Sequence, residues 1–86
     1  MKSRRTKDFK KLFARLPKRV QKDAEEAYAL FSKDPYHRSL QFKRIDDQDP
    51  IYSARIGLHY RTVGGYEDGI IRWYWIGTHA DYDHLS

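Results

Sequence analysis

The chain has 86 residues, 40% hydrophobic and 34% charged, which predicts one folded domain over residues 1–86 and excludes a second core and extended disorder. Seventeen Lys and Arg against twelve Asp and Glu give a formal charge of +5, which favours an anionic partner, nucleic acid first, over a basic protein without one. The lack of cysteine excludes disulfides and thiol nucleophiles, and the lack of a long apolar run or signal-peptide segment predicts a cytoplasmic protein with no membrane partner.

Two short amphipathic helices are predicted at the start of the chain. Thr6 is suited to be the N-cap of the first helix. The first helix has an apolar stripe at helical spacing, formed by Phe9, Leu12, Phe13 and Leu16. Pro17 ends this helix and can open the next. The second helix directs five residues toward the core, namely Val20, Ala24, Ala27, Tyr28 and Phe31. Asp34-Pro35 ends it, so we predict a helical hairpin with one apolar side.

From Ser39 onward the apolar residues recur with the period of a strand. Leu40, Phe42 and Ile45 fit a first strand imperfectly. Residues 51–57 alternate well, with Ser53 and Arg55 on the face opposite the apolar residues. Residues 58–63 form a third strand, which places Arg61 on a sheet face.

The remaining segment predicts a hairpin and a buried last strand. Gly64-Gly65 together with Glu67-Asp68-Gly69 is expected to form the connection. The run that starts at Gly69 and includes Trp73 and Trp75 is apolar on both faces, which is typical of a central or covered strand. We therefore predict an α+β fold, in which an N-terminal helical hairpin packs on a three- to four-stranded, mainly antiparallel sheet.

Arginines on neighbouring strands suggest a basic groove. Arg55 and Arg61 lie on separate predicted strands, and a guanidinium presents a planar fork that can bind phosphate in a bidentate manner. Lys43, Arg44 and Arg72 are expected nearby. The alternative for any single arginine is an exposed residue paired with a carboxylate. Taken together, these residues favour the groove.

Titratable side chains crowd the C-terminal end of the last strand. His79 follows a Gly-Thr pair, and an imidazole exchanges protons near neutral pH. Tyr82 could stack on a base, and Asp81 could orient the imidazole. The alternative is that His79 is a surface histidine in a tail. The spacing of these residues with Asp83 and His84 matches no metal-ligand pattern, so we expect neither a metal nor another cofactor.

The order of these segments resembles the RelE/ParE superfamily of bacterial toxins, and within it the RelE, HigB and YafQ ribonucleases. The matching segments run through nearly the whole chain: Phe9, Leu16-Pro17, Asp34-Pro35, Ser39-Leu40, Lys43, Arg55-Ile56-Gly57, Tyr60-Arg61 and Gly77-Thr78-His79-Ala80-Asp81-Tyr82. The Gly-Thr-His-x-Asp ending is most similar to YafQ-type toxins.

The resemblance implies a type II toxin that cuts mRNA, usually in the ribosomal A site, by attack of a ribose 2′-OH on the adjacent phosphate. It assigns Arg55 and Arg61 to the scissile phosphate, because fixed cations stabilise charge on the phosphoryl oxygens. It makes His79 the general acid and Tyr82 a nucleotide-positioning residue. Lys43, Arg44, Arg72 and Asp81 complete the expected RNA-contacting set. The resemblance implies three partners for the protein, namely a cognate antitoxin, mRNA and the ribosome.

Two departures from the family pattern leave points open. Members of the family usually begin with an apolar strand, whereas Lys2 to Arg5 contains no apolar residue. The region that carries extra bases in some members holds Tyr52 and Ser53 here, so the general base is unassigned and His59 is the candidate. Two other functions are alternatives: a ParE-like gyrase inhibitor, against which the histidine and arginines argue, and a non-catalytic basic module that binds RNA or protein.

Overall fold

A computed structural model describes residues 1–85. The strands and helices follow one another as β1 (Lys2–Arg5), α1 (Lys7–Ala14), α2 (Lys18–Lys33), β2 (Lys43–Arg44), β3 (Ile51–Ile56), β4 (Tyr60–Glu67), β5 (Ile70–Thr78) and α3 (His79–Asp83). A 3₁₀ turn, Arg38–Leu40, lies between α2 and β2. No helix in this part of the chain is long and apolar enough to cross a membrane.

The strands form one sheet in the order β1-β5-β4-β3-β2. All neighbouring strands are antiparallel except β1 and β5, which are parallel. The predicted α+β fold, with a helical hairpin on a mainly antiparallel sheet, is confirmed, although the sheet has five strands instead of three or four.

Both helices use the predicted residues to cover one face of the sheet. The Thr6 hydroxyl caps α1 by accepting a hydrogen bond from the Phe9 amide, and Pro17 immediately precedes α2. The fully buried core combines residues of both helices with residues of the sheet: Phe9, Ala24, Phe31, Leu40, Ala54, Ile56, Ile71, Trp73 and Ile76. Trp73 packs edge-on against Phe31, with ring centroids 5.3 Å apart. Trp73 is therefore a core residue, and β5 lies between β1 and β4 as a central strand, as the apolar run predicts.

The N-terminal strand β1 forms although it contains no apolar residue. It pairs with β5 from Lys2 opposite Ile70 to Arg5 opposite Trp73. The Arg5 guanidinium lies 4.4 Å from the centre of the Tyr28 ring on α2 and forms an ion pair with Glu25. The Tyr28 hydroxyl donates a hydrogen bond to the Ser3 carbonyl. Backbone pairing and polar contacts with α2 thus hold a strand that hydrophobic patterning does not indicate.

The prediction that Gly64-Gly65 forms a hairpin connection is wrong. Both glycines lie within β4, and the turn is Asp68-Gly69, where both residues have positive φ (55° and 80°). Asp-Gly at two successive positive-φ positions is typical of a two-residue hairpin turn. Gly64 is required for packing instead, because a Cβ at this position would lie 2.8 Å from the Arg72 carbonyl oxygen and the Trp73 ring.

The boundaries of the earlier strands also differ from the prediction. Gln41 adopts a left-handed conformation (φ 45°), which turns the chain between Leu40 and Phe42 and reduces the first predicted strand to the two residues of β2. Gly57, with φ 58°, opens the turn between β3 and β4, so residues 57–59 are not extended. A bulge between Val63 and Gly64 then changes the register of β4 against β5.

The two faces of the sheet have different roles. Ala54, Ile56 and Trp73 face the helices and the core. Because side chains alternate along a strand, Ser53 and Arg55 on β3 and Arg61 on β4 belong to the opposite face. The candidate site lies on that face.

Candidate active site

The end of the β3–β4 hairpin and the junction of β5 with α3 meet at one edge of the open sheet face. Arg55 pairs in register with Arg61, and Arg61 pairs with Gly77. The His79 amide donates a hydrogen bond of 2.7 Å to the His59 carbonyl, which joins the start of α3 to the hairpin turn. Side chains from β3, β4, the turn between them and α3 are thereby brought together.

These elements enclose a cleft of about 510 Å³. Its walls are formed by Gln41, Arg55, Leu58, His59, Tyr60, Arg61 and His79. Three of the four predicted catalytic residues therefore line one cleft, together with His59, the candidate base. The fourth, Tyr82, is half-buried and its ring centre lies 5.1 Å from the Arg61 guanidinium carbon.

Arg61 is buried, with 3% of its surface exposed. Its Nη2 donates to the Ser53 hydroxyl (2.9 Å) and the Gln41 carbonyl (3.3 Å), and Nη1 donates to Gln41 Oε1 (3.4 Å). Among the described residues its Nε has no hydrogen-bond partner. Burial lowers the pKa of Arg61, whereas the neighbouring Tyr82 raises it, and an arginine stays charged at neutral pH. Arg61 is thus a fixed cation at the floor of the cleft.

Arg55 is more accessible than Arg61. It is half-buried, and its Nε donates to the Gly57 carbonyl at 2.8 Å, which fixes the base of the guanidinium. Within residues 1–85, its terminal N–H groups form no hydrogen bond or ion pair. A guanidinium that is oriented through its Nε and has unpaired terminal N–H groups is suited to bind an anion that enters the cleft.

His79 is the first residue of a short helix, not part of a tail. The Thr78 hydroxyl caps α3 by accepting from the Asp81 amide. The His79 side chain is 55% exposed, and its Nδ1 lies 3.6 Å from Asp83 Oδ2, one helical turn later. The Tyr82 ring centre is 5.8 Å from the His79 ring. The carboxylate beside the imidazole belongs to Asp83, which sequence analysis had not favoured over Asp81.

Helical spacing explains why Asp83, and not Asp81, lies beside His79. Residues four apart on a helix share a face, whereas residues two apart do not. Asp81 is exposed, and its backbone amide serves the cap. The Thr-His-Ala-Asp sequence at 78–81 is an N-capping signal that could have identified this helix from the sequence.

The other predicted RNA-contacting cations do not all lie near the cleft. Lys43 is exposed on β2 and pairs with Ser53, so it flanks the site. The Arg44 guanidinium folds back onto the Asp46 carbonyl (2.9 Å) and so braces the β2–β3 turn.

Arg72 is remote from the cleft, contrary to the expected grouping. It pairs with Gly65 and lies five residues before Gly77 on β5, which corresponds to about 17 Å along a strand.

Ser53 is a site residue that sequence analysis did not identify. Its side chain is fully buried, and its hydroxyl accepts from Arg61 and also from the Tyr82 hydroxyl (3.2 Å). It therefore connects the cation at the cleft floor to α3. No local pattern marks this serine, because both partners come from other elements.

No three His, Cys, Asp or Glu side chains converge as a possible metal site anywhere in residues 1–85. The arrangement offers two guanidinium groups and two imidazoles around one cleft. Such a set can bind a phosphate and transfer protons to and from its oxygens.

Comparisons with solved structures give the same fold. The RelE toxin in the RelB–RelE complex of Methanococcus jannaschii superposes with a TM-score of 0.74 at 18% identity, covering 95% of this chain and 98% of that one. YafQ of Escherichia coli gives 0.73 at 14% identity, with 93% and 94% covered. The RelE–RelB complex of Pyrococcus horikoshii gives 0.69 at 20% identity, with 90% and 92% covered.

Sequence comparison adds the family. No curated protein matches the chain. The sequence model of the ParE-like toxin domain, however, matches residues 18–84, from the start of α2 to the end of α3 and thus across the whole cleft. The chain belongs to the ParE-like toxin family.

Proposed function

We propose that this protein is the toxin of a type II toxin–antitoxin system and acts in the cytoplasm as an endoribonuclease that cleaves mRNA on the ribosome. The observation that carries this proposal is the convergence of Arg55, Arg61 and His79 on one cleft. A gyrase-inhibiting toxin of the same fold needs no proton-transfer residue beside a cationic cleft.

The cleft residues have complementary roles in strand cleavage. Arg55 binds the non-bridging oxygens of the scissile phosphate through its free N–H groups. Arg61 adds fixed positive charge from below, where its environment of low polarity strengthens the interaction with the charge that develops in the transition state. Tyr82 keeps Arg61 in place and offers its ring to a neighbouring base.

The two imidazoles transfer the protons. His59 removes the proton of the ribose 2′-OH as the 2′-oxygen bonds to phosphorus. His79, protonated and paired with Asp83, gives its proton to the 5′-oxygen as the bond from phosphorus to that oxygen breaks. The products are a 2′,3′-cyclic phosphate and a 5′-hydroxyl, so atoms and charge balance without a metal ion.

A cognate antitoxin is the second proposed partner. The similar structure from Methanococcus jannaschii is a complex of the toxin RelE with the antitoxin RelB, and the structure from Pyrococcus horikoshii is also a RelE–RelB complex. An antitoxin segment rich in acidic residues would bind this basic protein and fold on binding.

Induced expression in a bacterium tests the proposed chemistry. We expect the wild type to arrest growth with mRNA cuts at fixed codon positions, and His79→Ala to lose both, because general acid catalysis contributes about 10²–10⁴-fold. His84→Ala is the matched control, since His84 is an exposed residue that follows α3 outside the cleft. Growth arrest with intact mRNA and a DNA-damage response would reject the nuclease and favour gyrase inhibition. No arrest by the wild type would favour a non-catalytic module.

A further inference from the structure

Arg61 has almost no surface with which to contact a substrate, although it lies at the floor of the cleft. Only 3% of its surface is exposed, and its Nη2 donates to the Ser53 hydroxyl and the Gln41 carbonyl. Its Nη1 donates to Gln41 Oε1, and the Tyr82 ring lies beside the guanidinium. Of these three neighbours, Gln41 alone is exposed and lines the cleft. The effect of the buried cation on a ligand therefore depends on what Gln41 does.

Gln41 keeps a side chain at a position that favours glycine. Its backbone is left-handed, with φ 45° and ψ 44°. A residue with a Cβ is strained in this conformation, whereas glycine adopts it freely. The backbone amide of Gln41 donates to the Arg38 carbonyl (3.3 Å), and its carbonyl accepts from Arg61. Glycine would form both of these bonds, so the turn does not explain the glutamine and the side chain must be retained for another reason.

The hydrogen bond to Arg61 orients the side-chain amide of Gln41. A guanidinium has donors only, so it faces the oxygen of the amide and not the nitrogen. The distance from Arg61 Nη1 to Gln41 Oε1 is 3.4 Å. Across residues 1–85, Gln41 Nε2 forms no hydrogen bond. Its two N–H groups are thus unengaged donors on a residue of the cleft wall.

Unengaged donors beside a cation suit the oxygens of a phosphate. Arg55, on the same cleft, also has terminal N–H groups without a partner among the described residues. Two sets of donors can serve the two non-bridging oxygens of one phosphate. An amide whose oxygen accepts from a cation is polarised, which strengthens the hydrogen bonds that its nitrogen donates. Gln41 can therefore transmit the effect of a charge that is too deeply buried to reach the substrate.

We propose that the side-chain amide of Gln41 binds a non-bridging oxygen of the scissile phosphate and transmits to it the polarisation by Arg61. This rests on the proposed function in that the bound phosphate is the one that reacts. Gln41 and Arg55 share the non-bridging oxygens, and Arg61 acts on the phosphate without touching it.

Gln41→Glu separates this role from that of an anchor for Arg61. The glutamate keeps an oxygen for Arg61 and replaces the N–H donors with a second oxygen. We expect kcat for cleavage of a synthetic mRNA on programmed ribosomes to fall about tenfold or more, because one donor to a developing charge has effects of this size. The melting temperature should not fall, since a carboxylate binds Arg61 at least as well as an amide does. Gln48→Glu is the matched control, the same change at an exposed glutamine between β2 and β3, outside the cleft.

Gln41→Gly removes the side chain without adding a charge. We expect kcat to fall here too, while the melting temperature stays equal or rises because glycine suits the left-handed backbone. Wild-type cleavage by Gln41→Glu together with slow cleavage by Gln41→Gly overturns the proposal, since the side chain would then only anchor Arg61. Wild-type cleavage by Gln41→Gly also overturns it and shows that the glutamate acts by charge repulsion.

Binding of inorganic phosphate tests the contact without the reaction. In nitrogen–proton correlation NMR spectra, the side-chain amide signal of Gln41 is identified by its absence from Gln41→Glu. This signal should shift as phosphate is added, whereas that of Gln48 should not. A Gln41 signal that phosphate leaves unchanged overturns the proposal. A shifted signal in a wild type that cuts no mRNA refutes the proposed nuclease and leaves Gln41 as a phosphate-binding residue.

Discussion

At the scale of single residues, Arg61 and Asp83 change how the site is understood. Arg61 had been expected to bind the phosphate directly, but its guanidinium is committed to Ser53, Gln41 and the Tyr82 ring. Arg55 is therefore the better candidate for direct contact, and Arg61 for fixed charge. The carboxylate beside His79 is that of Asp83 and not that of Asp81, because residues four apart on a helix share a face.

We predict that Ser53→Ala removes an anchor that both Arg61 and Tyr82 use. Leaving a buried donor without its partner costs about 1–3 kcal/mol, so the free energy of unfolding should fall by that amount. Cleavage should decrease more than substrate binding, because the cation moves relative to the reacting phosphate. Chemical denaturation and a cleavage assay measure the two effects. Ser32→Ala, at an exposed serine on α2, is the control. Unchanged stability and activity would show that the hydroxyl is dispensable.

The pKa of Asp46 in the folded protein predicts how the free energy of unfolding depends on pH. Backbone amides of Asp49 and Gln48, which donate to its carboxylate, lower the pKa of Asp46 below 3.8. A carboxyl whose pKa is lowered by folding stabilises the folded protein fully above pH 3.8. This stabilisation is lost as the pH falls through the pKa of the carboxyl in the folded state. Asp46→Asn should remove this contribution, and denaturation curves across acidic pH measure it. Parallel curves for the variant and wild type would contradict the prediction.

At the scale of elements, a bulge beside one closely packed glycine changes the register of the sheet. A Cβ at Gly64 would lie 2.8 Å from the Arg72 carbonyl oxygen and the Trp73 ring, and the bulge lies between Val63 and this glycine. The bulge shifts the alternation of β5, so that Trp73 and Ile76 both reach the core although they are three residues apart. It also brings Gly77 opposite Arg61.

Gly64→Ala should therefore be destabilising. The added methyl group meets backbone atoms that cannot move aside, and overpacking of this kind costs about 1–3 kcal/mol. Gly65→Ala is a matched control on the next residue, since a Cβ there meets nothing within 4 Å. Thermal and chemical denaturation of both variants measure the difference. Equal stability of the two variants would mean that the bulge does not depend on Gly64.

At the scale of the whole molecule, the two faces of the sheet are used differently. One face carries the helices, while the other face carries the cleft. The high net charge is concentrated on residues 7–22 and is not spread around the cleft.

The sequence by itself determined the helical hairpin, the alternation of β3 and the position of Arg55 and Arg61 on two separate strands. These features follow from local periodicity and capping, which the chain expresses without help from distant residues. Only the tertiary structure decided that the polar segment Lys2–Arg5 is a strand, because its hydrogen bonds and its contacts with Tyr28 come from elements far along the chain. The burial of Arg61 and the distance of Arg72 from the cleft were decided in the same way, since register and depth depend on how the strands pair.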